Sequence, residues 1–143
     1  MQICNKGMGS AMLTKPKRME HVVRAASAVA QRAAITFKTR TGYQDRDRAR
    51  CAASILAGCG SWGATAVTLH GRTRNQRYSR QADWKYVAEA AADMPDNVQL
   101  IGNGDVFSWE EYAEHMRDNK VRRTPLRCRA WSTSECARRR MTN

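Results

Sequence analysis

Long apolar runs are missing. No stretch of the 143 residues approaches the roughly 18 apolar residues a membrane-spanning helix needs, and the longest apolar patches are alanine-rich. The first ten residues, MQICNKGMGS, hold no continuous apolar segment and so do not read as a secretory signal. Paired cysteines are also missing. Cys4, Cys51, Cys59, Cys128 and Cys136 form an odd set without a single CxxC spacing, which argues against a zinc ribbon or other metal site and against a complete disulfide framework. A reducing compartment is expected, the cytoplasm or alternatively the nucleus. Acid is scarce, with 13 Asp+Glu against 25 Lys+Arg and a net charge of +12. Such an excess favours a polyanionic partner, most often nucleic acid. At 42% hydrophobic the chain can still build a core, so wholesale disorder is not expected, and one domain is the natural count.

The positive charge is unevenly spread. Residues 121–143 carry seven arginines and one acid, Glu135, so half the excess of the whole chain sits in its last 23 residues. This stretch has Pro125, scattered Ser and Thr, few aliphatics and no sustained periodicity. It is expected to be disordered, either as an RNA-binding arm or as a merely solvated terminus.

Before it, helical and strand patterns alternate. From Lys17 to Arg32, Met19, Val22, Val23, Ala26, Val29 and Ala30 follow helical spacing. AAITFKTRTG reads as a strand ending at Gly42, with Ile35 and Phe37 on one face. A second helix is expected from Asp45 to Cys59, buried through Ala49, Ala52, Ala53 and Leu56, with Cys51 and Cys59 as small core residues. ATAVTLHG is the next strand, followed by the polar loop GRTRNQRYSRQ and a helix from Asp83 to Asp93 that faces inward through Trp84, Val87, Ala88 and Ala91. NVQLIGNGD is the third strand, and Ser108 with Glu111 predicts a capping box at the start of a final helix. This order means parallel βα units. Three strands cannot close a barrel, since eight units need about 250 residues. The fold class is therefore α/β, either a small open sheet or a slice of something larger.

In such architectures the chemistry lies at the C-terminal strand ends. Here they read Lys38-Thr39-Arg40-Thr41-Gly42, His70-Gly71-Arg72 and Gly102-Asn103-Gly104-Asp105. A cationic, amide-rich mouth with close-approach glycines suits an anionic or phosphorylated ligand. The loop after the second strand adds Arg72, Arg74, Arg77 and Arg80 around Tyr78 with no acid among them, a pattern suited to contacts with phosphate and base.

Taken together, KGMGSAMLTKP, TFKTRTG, TLHGRTRNQRYSRQADW and IGNGD resemble the flavin-dependent tRNA-dihydrouridine synthases, most closely the eukaryotic type acting on position 47. The likeness runs from about Lys6 to Asn119, and HGRTRNQRYSRQADW is its most specific part. It implies a fragment of a (β/α)8 barrel over residues 1–120, with FMN across the mouth, NAD(P)H as reductant and tRNA as substrate, followed by the arginine-rich tail 121–143. By motif, Lys38 corresponds to the family's flavin-ring lysine and His70 to its flavin-contacting histidine. Asn103, Gly104 and Asp105 match the ribityl-phosphate stretch, and Arg40, Arg72 and Arg74 lie where tRNA approaches. The implied reaction passes hydride from NAD(P)H to FMN and on to C6 of a flipped-out uridine, with a cysteine protonating C5.

That cysteine belongs to a GCP motif several residues upstream of KGxGSA, and Cys4 is too close to Gly7 to match it. No catalytic residue is assigned within the chain. The Ala-Arg-Gly turn expected after Asn119 is likewise replaced by the arginine tail. The expectation is thus a piece of a synthase with weak FMN binding at best and no turnover alone. The alternatives are a noncatalytic RNA-binding remnant of the same fold, another phosphate-binding βα-barrel enzyme, and a segment with no stable fold of its own.

Overall fold

The computed structural model describes Cys4 and residues 6–30, 32–76 and 79–118. The arginine tail expected over 121–143, the cysteines within it, and Arg77 and Tyr78 lie outside the described residues. The chain forms a 3-10 turn at Gly9–Thr14, then α1 (Pro16–Val29), β1 (Thr36–Arg40), α2 (Arg48–Cys59), β2 (Ala66–His70), α3 (Trp84–Ala92), β3 (Gln99–Asn103) and α4 (Trp109–Asp118). Every helix and strand expected from periodicity is present. The strands are shorter than the expected segments at both ends, beginning at Thr36, Ala66 and Gln99 and ending at Arg40, His70 and Asn103. The 3-10 turn at Gly9–Thr14 carries no periodic signal and is new, and the helix expected from Asp45 opens with a 3-10 turn, Asp45–Asp47, before its α-helical part begins at Arg48.

The start signals act as their chemistry dictates. Pro16 opens α1, where its missing N–H costs nothing. The Asp83 carboxylate caps α3 by accepting from the Tyr86 N–H at 2.8 Å. At α4, the Ser108 Oγ accepts from the Glu111 N–H at 3.1 Å, and the Glu111 carboxylate accepts in return from the N–H groups of Ser108 and Phe107 at 3.2 and 2.6 Å.

The strands form one parallel sheet in the order β1-β2-β3, with Arg40, His70 and Asn103 in register at its C-terminal end. Crossovers between parallel strands are right-handed. Two successive crossovers in the same direction therefore put α2 and α3 on one face. The burial pattern agrees: Val67, Leu69 and Leu100 join Val23 of α1, Ala52, Ile55, Leu56 and Cys59 of α2, and Val87 and Ala90 of α3 in one apolar cluster. Ile55, Val67, Leu69 and Val87 are fully buried, each contributing about 2 kcal/mol. Cys59 is a small core residue, its thiol donating to the Leu56 carbonyl at 2.9 Å.

Two apolar expectations need correction. In α2 the buried side is Ala52, Ile55, Leu56 and Cys59, whereas Ala53 is exposed. The larger Ile55 faces the sheet and rotates Ala53 outward. In α1, Val23 is buried and Met19 packs on the core, but Val22 and Val29 are exposed. The helix meets α2 and the first 3-10 turn along a narrow line, and nothing among the described residues covers the rest of its stripe.

Candidate functional site

A strand's side chains alternate between its two faces. The helix-facing set is Phe37 and Thr39, Val67 and Leu69, Leu100 and Gly102. The opposite set is Thr36, Lys38 and Arg40 from β1, Ala66, Thr68 and His70 from β2, and Gln99, Ile101 and Asn103 from β3. This second face is mostly polar and grows more so toward the C-terminal end. Thr39, Thr41, Arg72, Thr73, Gln76 and Asn103, the buried polar residues among those described, all sit at that end or in the loops leaving it. Sheets do not concentrate buried polar groups without a use for them.

The structure brings Lys38, His70 and Asn103 together. Lys38 lies two residues before the end of its strand, yet its Nζ reaches across β2 to donate to the Asn103 Oδ1 at 3.1 Å. His70 is in register with Asn103 on one side and Arg40 on the other, two positions beyond Thr68, the β2 partner of Lys38. Its Nε2 is buried and has no hydrogen-bond partner among the described residues. Burial, reinforced by the positive charges of Arg40, Lys38 and Arg72 and partly opposed by Asp105, pushes the His70 pKa down to about 4. The ring is therefore neutral at pH 7.

This depression has a measurable consequence. The unfolded histidine, titrating near 6.5, takes up its proton before the folded one does. Between pH 6.5 and about 4 the unfolded state binds more protons, so His70 contributes stability above pH 6.5 that is lost as the pH falls toward 4. Replacing His70 by Phe is expected to flatten the fall in urea midpoint between pH 7 and pH 5. An unchanged slope would place the acid sensitivity elsewhere.

Around this trio the loops interlock. Arg40 Nη1 donates to the Thr73 carbonyl at 3.1 Å, and Thr73 Oγ1 donates to the Asp45 carboxylate at 2.7 Å. The Thr73 N–H donates to Gln76 Oε1, and the Arg74 N–H to the Gly42 carbonyl, both at 2.9 Å. Arg72 is buried and pairs with Asp105 at 2.6 Å. Arg74 stands further out, its guanidinium 4.9 Å from the centre of the Tyr43 ring.

Periodicity assigns Trp84 only an inward face, but its position is more specific. Its Nε1 donates to the Gly104 carbonyl at 2.9 Å, and its ring stacks on His115 of α4 at 3.9 Å. It also fills the space at Gly102, where a Cβ would come within 2.5 Å of the ring. Two residues later the backbone turns out of the sheet at Gly104, φ +126°. A Cβ there would lie 2.6 Å from the Ala82 Cβ and 3.1 Å from the His70 ring. Asp45, Thr73 and Trp84 were not legible as site supports because each has a partner in a segment distant in sequence. Only the unbroken polar stretch from His70 to Trp84 hinted that this loop is built rather than merely solvated.

The cationic strand end, the neutral buried imidazole and the turn at Gly104 lie within the stretches TFKTRTG, LHGRTR and GNGD. The family model for dihydrouridine synthase matches residues 1–122. The chain belongs to the dihydrouridine synthase family. It is 45% identical over 115 residues to a protein of Oryza sativa subsp. japonica named tRNA-dihydrouridine(47) synthase NAD(P)(+)-like, covering 80% of this chain and 16% of that protein. A protein of the same name from Arabidopsis thaliana is 44% identical over 117 residues, covering 81% of this chain and 16% of its own length. The tRNA-dihydrouridine(47) synthase NAD(P)(+) of Emericella nidulans is 32% identical over 150 residues, covering 81% of this chain and 21% of that protein. The chain thus spans about a sixth to a fifth of the length of these relatives. Across this dihydrouridine synthase segment, no helix among the described residues is long and apolar enough to cross a membrane, and no three His, Cys, Asp or Glu side chains gather as a metal site.

Proposed function

We propose that this chain is the cofactor-holding part of an FMN-dependent tRNA-dihydrouridine synthase, and that its three βα units are consecutive sectors of a (β/α)8 barrel. The observation that carries this reading is the Lys38–Asn103 contact, beside the neutral His70, on the face of the sheet opposite α2 and α3. Two further features fit an anionic, heteroaromatic group there. The buried His70 Nε2 without a partner among the described residues offers a hydrogen bond, and the turn at Gly104 lets backbone approach where a side chain would block it. The one-directional strand order, with the crossover helices α2 and α3 on one face, supports a barrel sector over a doubly wound sheet, in which the winding reverses.

FMN, when bound, supplies the hydride that reduces the C5–C6 bond of a tRNA uridine and is itself reduced by NAD(P)H. In this reading the Lys38 ammonium stabilises negative charge on the ring, and Asn103 fixes that ammonium in place. His70 remains a neutral hydrogen-bonding group. Gly104, with Asp105 in the same turn, shapes the ribityl-phosphate side. Arg40, Arg72 and Arg74 make up the side from which tRNA approaches. Arg74 is its outermost member, while Arg40 and Arg72 hold the loops beneath it. A compartment containing tRNA, cytoplasm or nucleus, follows from this role.

The test is a titration of the purified chain with FMN followed by flavin fluorescence, together with an assay for NADPH-dependent hydrogen uptake by uridine in unmodified tRNA. Saturable quenching that is lost on replacing Asn103 by Ala supports the reading. Salt-sensitive tRNA binding with no response to FMN would replace it with the noncatalytic RNA-binding alternative.

A further inference from the structure

By motif, Arg72 belongs with the tRNA contacts and Asp105 with the cofactor contacts. In the folded chain they contact each other. Arg72 Nη2 lies 2.6 Å from Asp105 Oδ2, and the two side chains are 6% and 21% exposed. The same carboxylate oxygen accepts the Ala82 N–H at 2.6 Å, and Arg72 Nε donates to the Arg80 carbonyl. Asp105 holds a left-handed backbone conformation, φ 51°, uncommon outside glycine but one that Asp tolerates. The pair therefore ties three segments separated in sequence: the exit of β2, the end of the loop leading to α3, and the turn after β3.

The electrostatics point the same way. A lone carboxylate beside Gly104 would repel a phosphorylated ligand, and a lone guanidinium buried under the loop would carry a large desolvation cost. Paired, the two cancel. The site's positive potential is left to Lys38 and Arg40, and its close approach to the Gly104 backbone. From this geometry we infer that Arg72 and Asp105 are a positioning pair, with neither side chain contacting the ligand. Together they set the Asn103–Gly104 turn against His70 and present it to the anion without net charge. This inference rests on the flavin reading of the site only for the identity of the anion.

The experiment compares the chain with Arg72→Met, Asp105→Asn and the double variant, using thermal melts, the amide chemical shifts of Asn103 and Gly104, and FMN titration. Asn at 105 can still accept the Ala82 N–H, so the double variant removes both charges while keeping that bond. Each single change is expected to lower the melting midpoint, move both amide shifts and weaken FMN binding about tenfold. The double variant should recover much of what Arg72→Met loses, because no unpaired charge remains. Additive losses would overturn the inference, since two independent ligand contacts add. So would a double variant that fails to fold. If the parent chain takes up no FMN, the flavin reading fails alone, and the coupling in the melts and amide shifts still decides the pair.

Discussion

Replacing Gly104 by Ala is expected to destabilise the chain by about 2–4 kcal/mol, combining overpacking with backbone strain. The added methyl would lie 2.6 Å from the Ala82 Cβ, an atom fixed to its own backbone that cannot rotate away, and 3.1 Å from the His70 ring. The positive φ of +126° adds a conformational penalty for any L side chain. Gly60 provides the control. A Cβ there would come equally near Asn97, but the atom it meets is the end of a flexible amide. Gly60→Ala should therefore cost no more than about 1 kcal/mol. Urea midpoints at unchanged m-value measure both. A Gly104→Ala variant as stable as the parent would show that the turn can open, and the close backbone approach proposed for the cofactor would lose its basis.

Lys38→Met should weaken FMN binding by about 10- to 100-fold, the range of a hydrogen bond to a charged group, while barely changing the fold. The two effects separate because Lys38 stands on the exposed face of β1, held by Asn103 and not by the core. Flavin fluorescence titration gives the affinity, and a thermal melt gives the stability. Unchanged affinity would remove the lysine from the site. A loss of affinity matched by a loss of stability would mean that Lys38 acts through the sheet rather than on the ligand.

The order of elements was legible because local chemistry sets it. Ser108 with Glu111 and Asp83 with Tyr86 act within three residues, and the strands stand out as short β-branched runs between helical stripes. The positions of Lys38, His70 and Asn103 at strand ends were legible for the same reason. Which face each helix buries was less so: Ile55 displaced Ala53, and Val22 and Val29 were left outside. Periodicity reports a stripe, but the width of that stripe that is covered depends on how many neighbours arrive.

From its residues alone this chain is determined to be a parallel α/β protein with a basic, glycine-rich mouth, since propensity, capping and alternation are properties of neighbouring residues. Only the tertiary structure decided which polar groups face a ligand and which face each other. Arg72 and Asp105 look alike in sequence to Arg74 and Asn103, yet the first two are joined across 33 residues in a largely buried ion pair. That division follows from the strand register and the loop packing. Both bring together groups far apart in the chain, where no local pattern can anticipate which charge will find which partner.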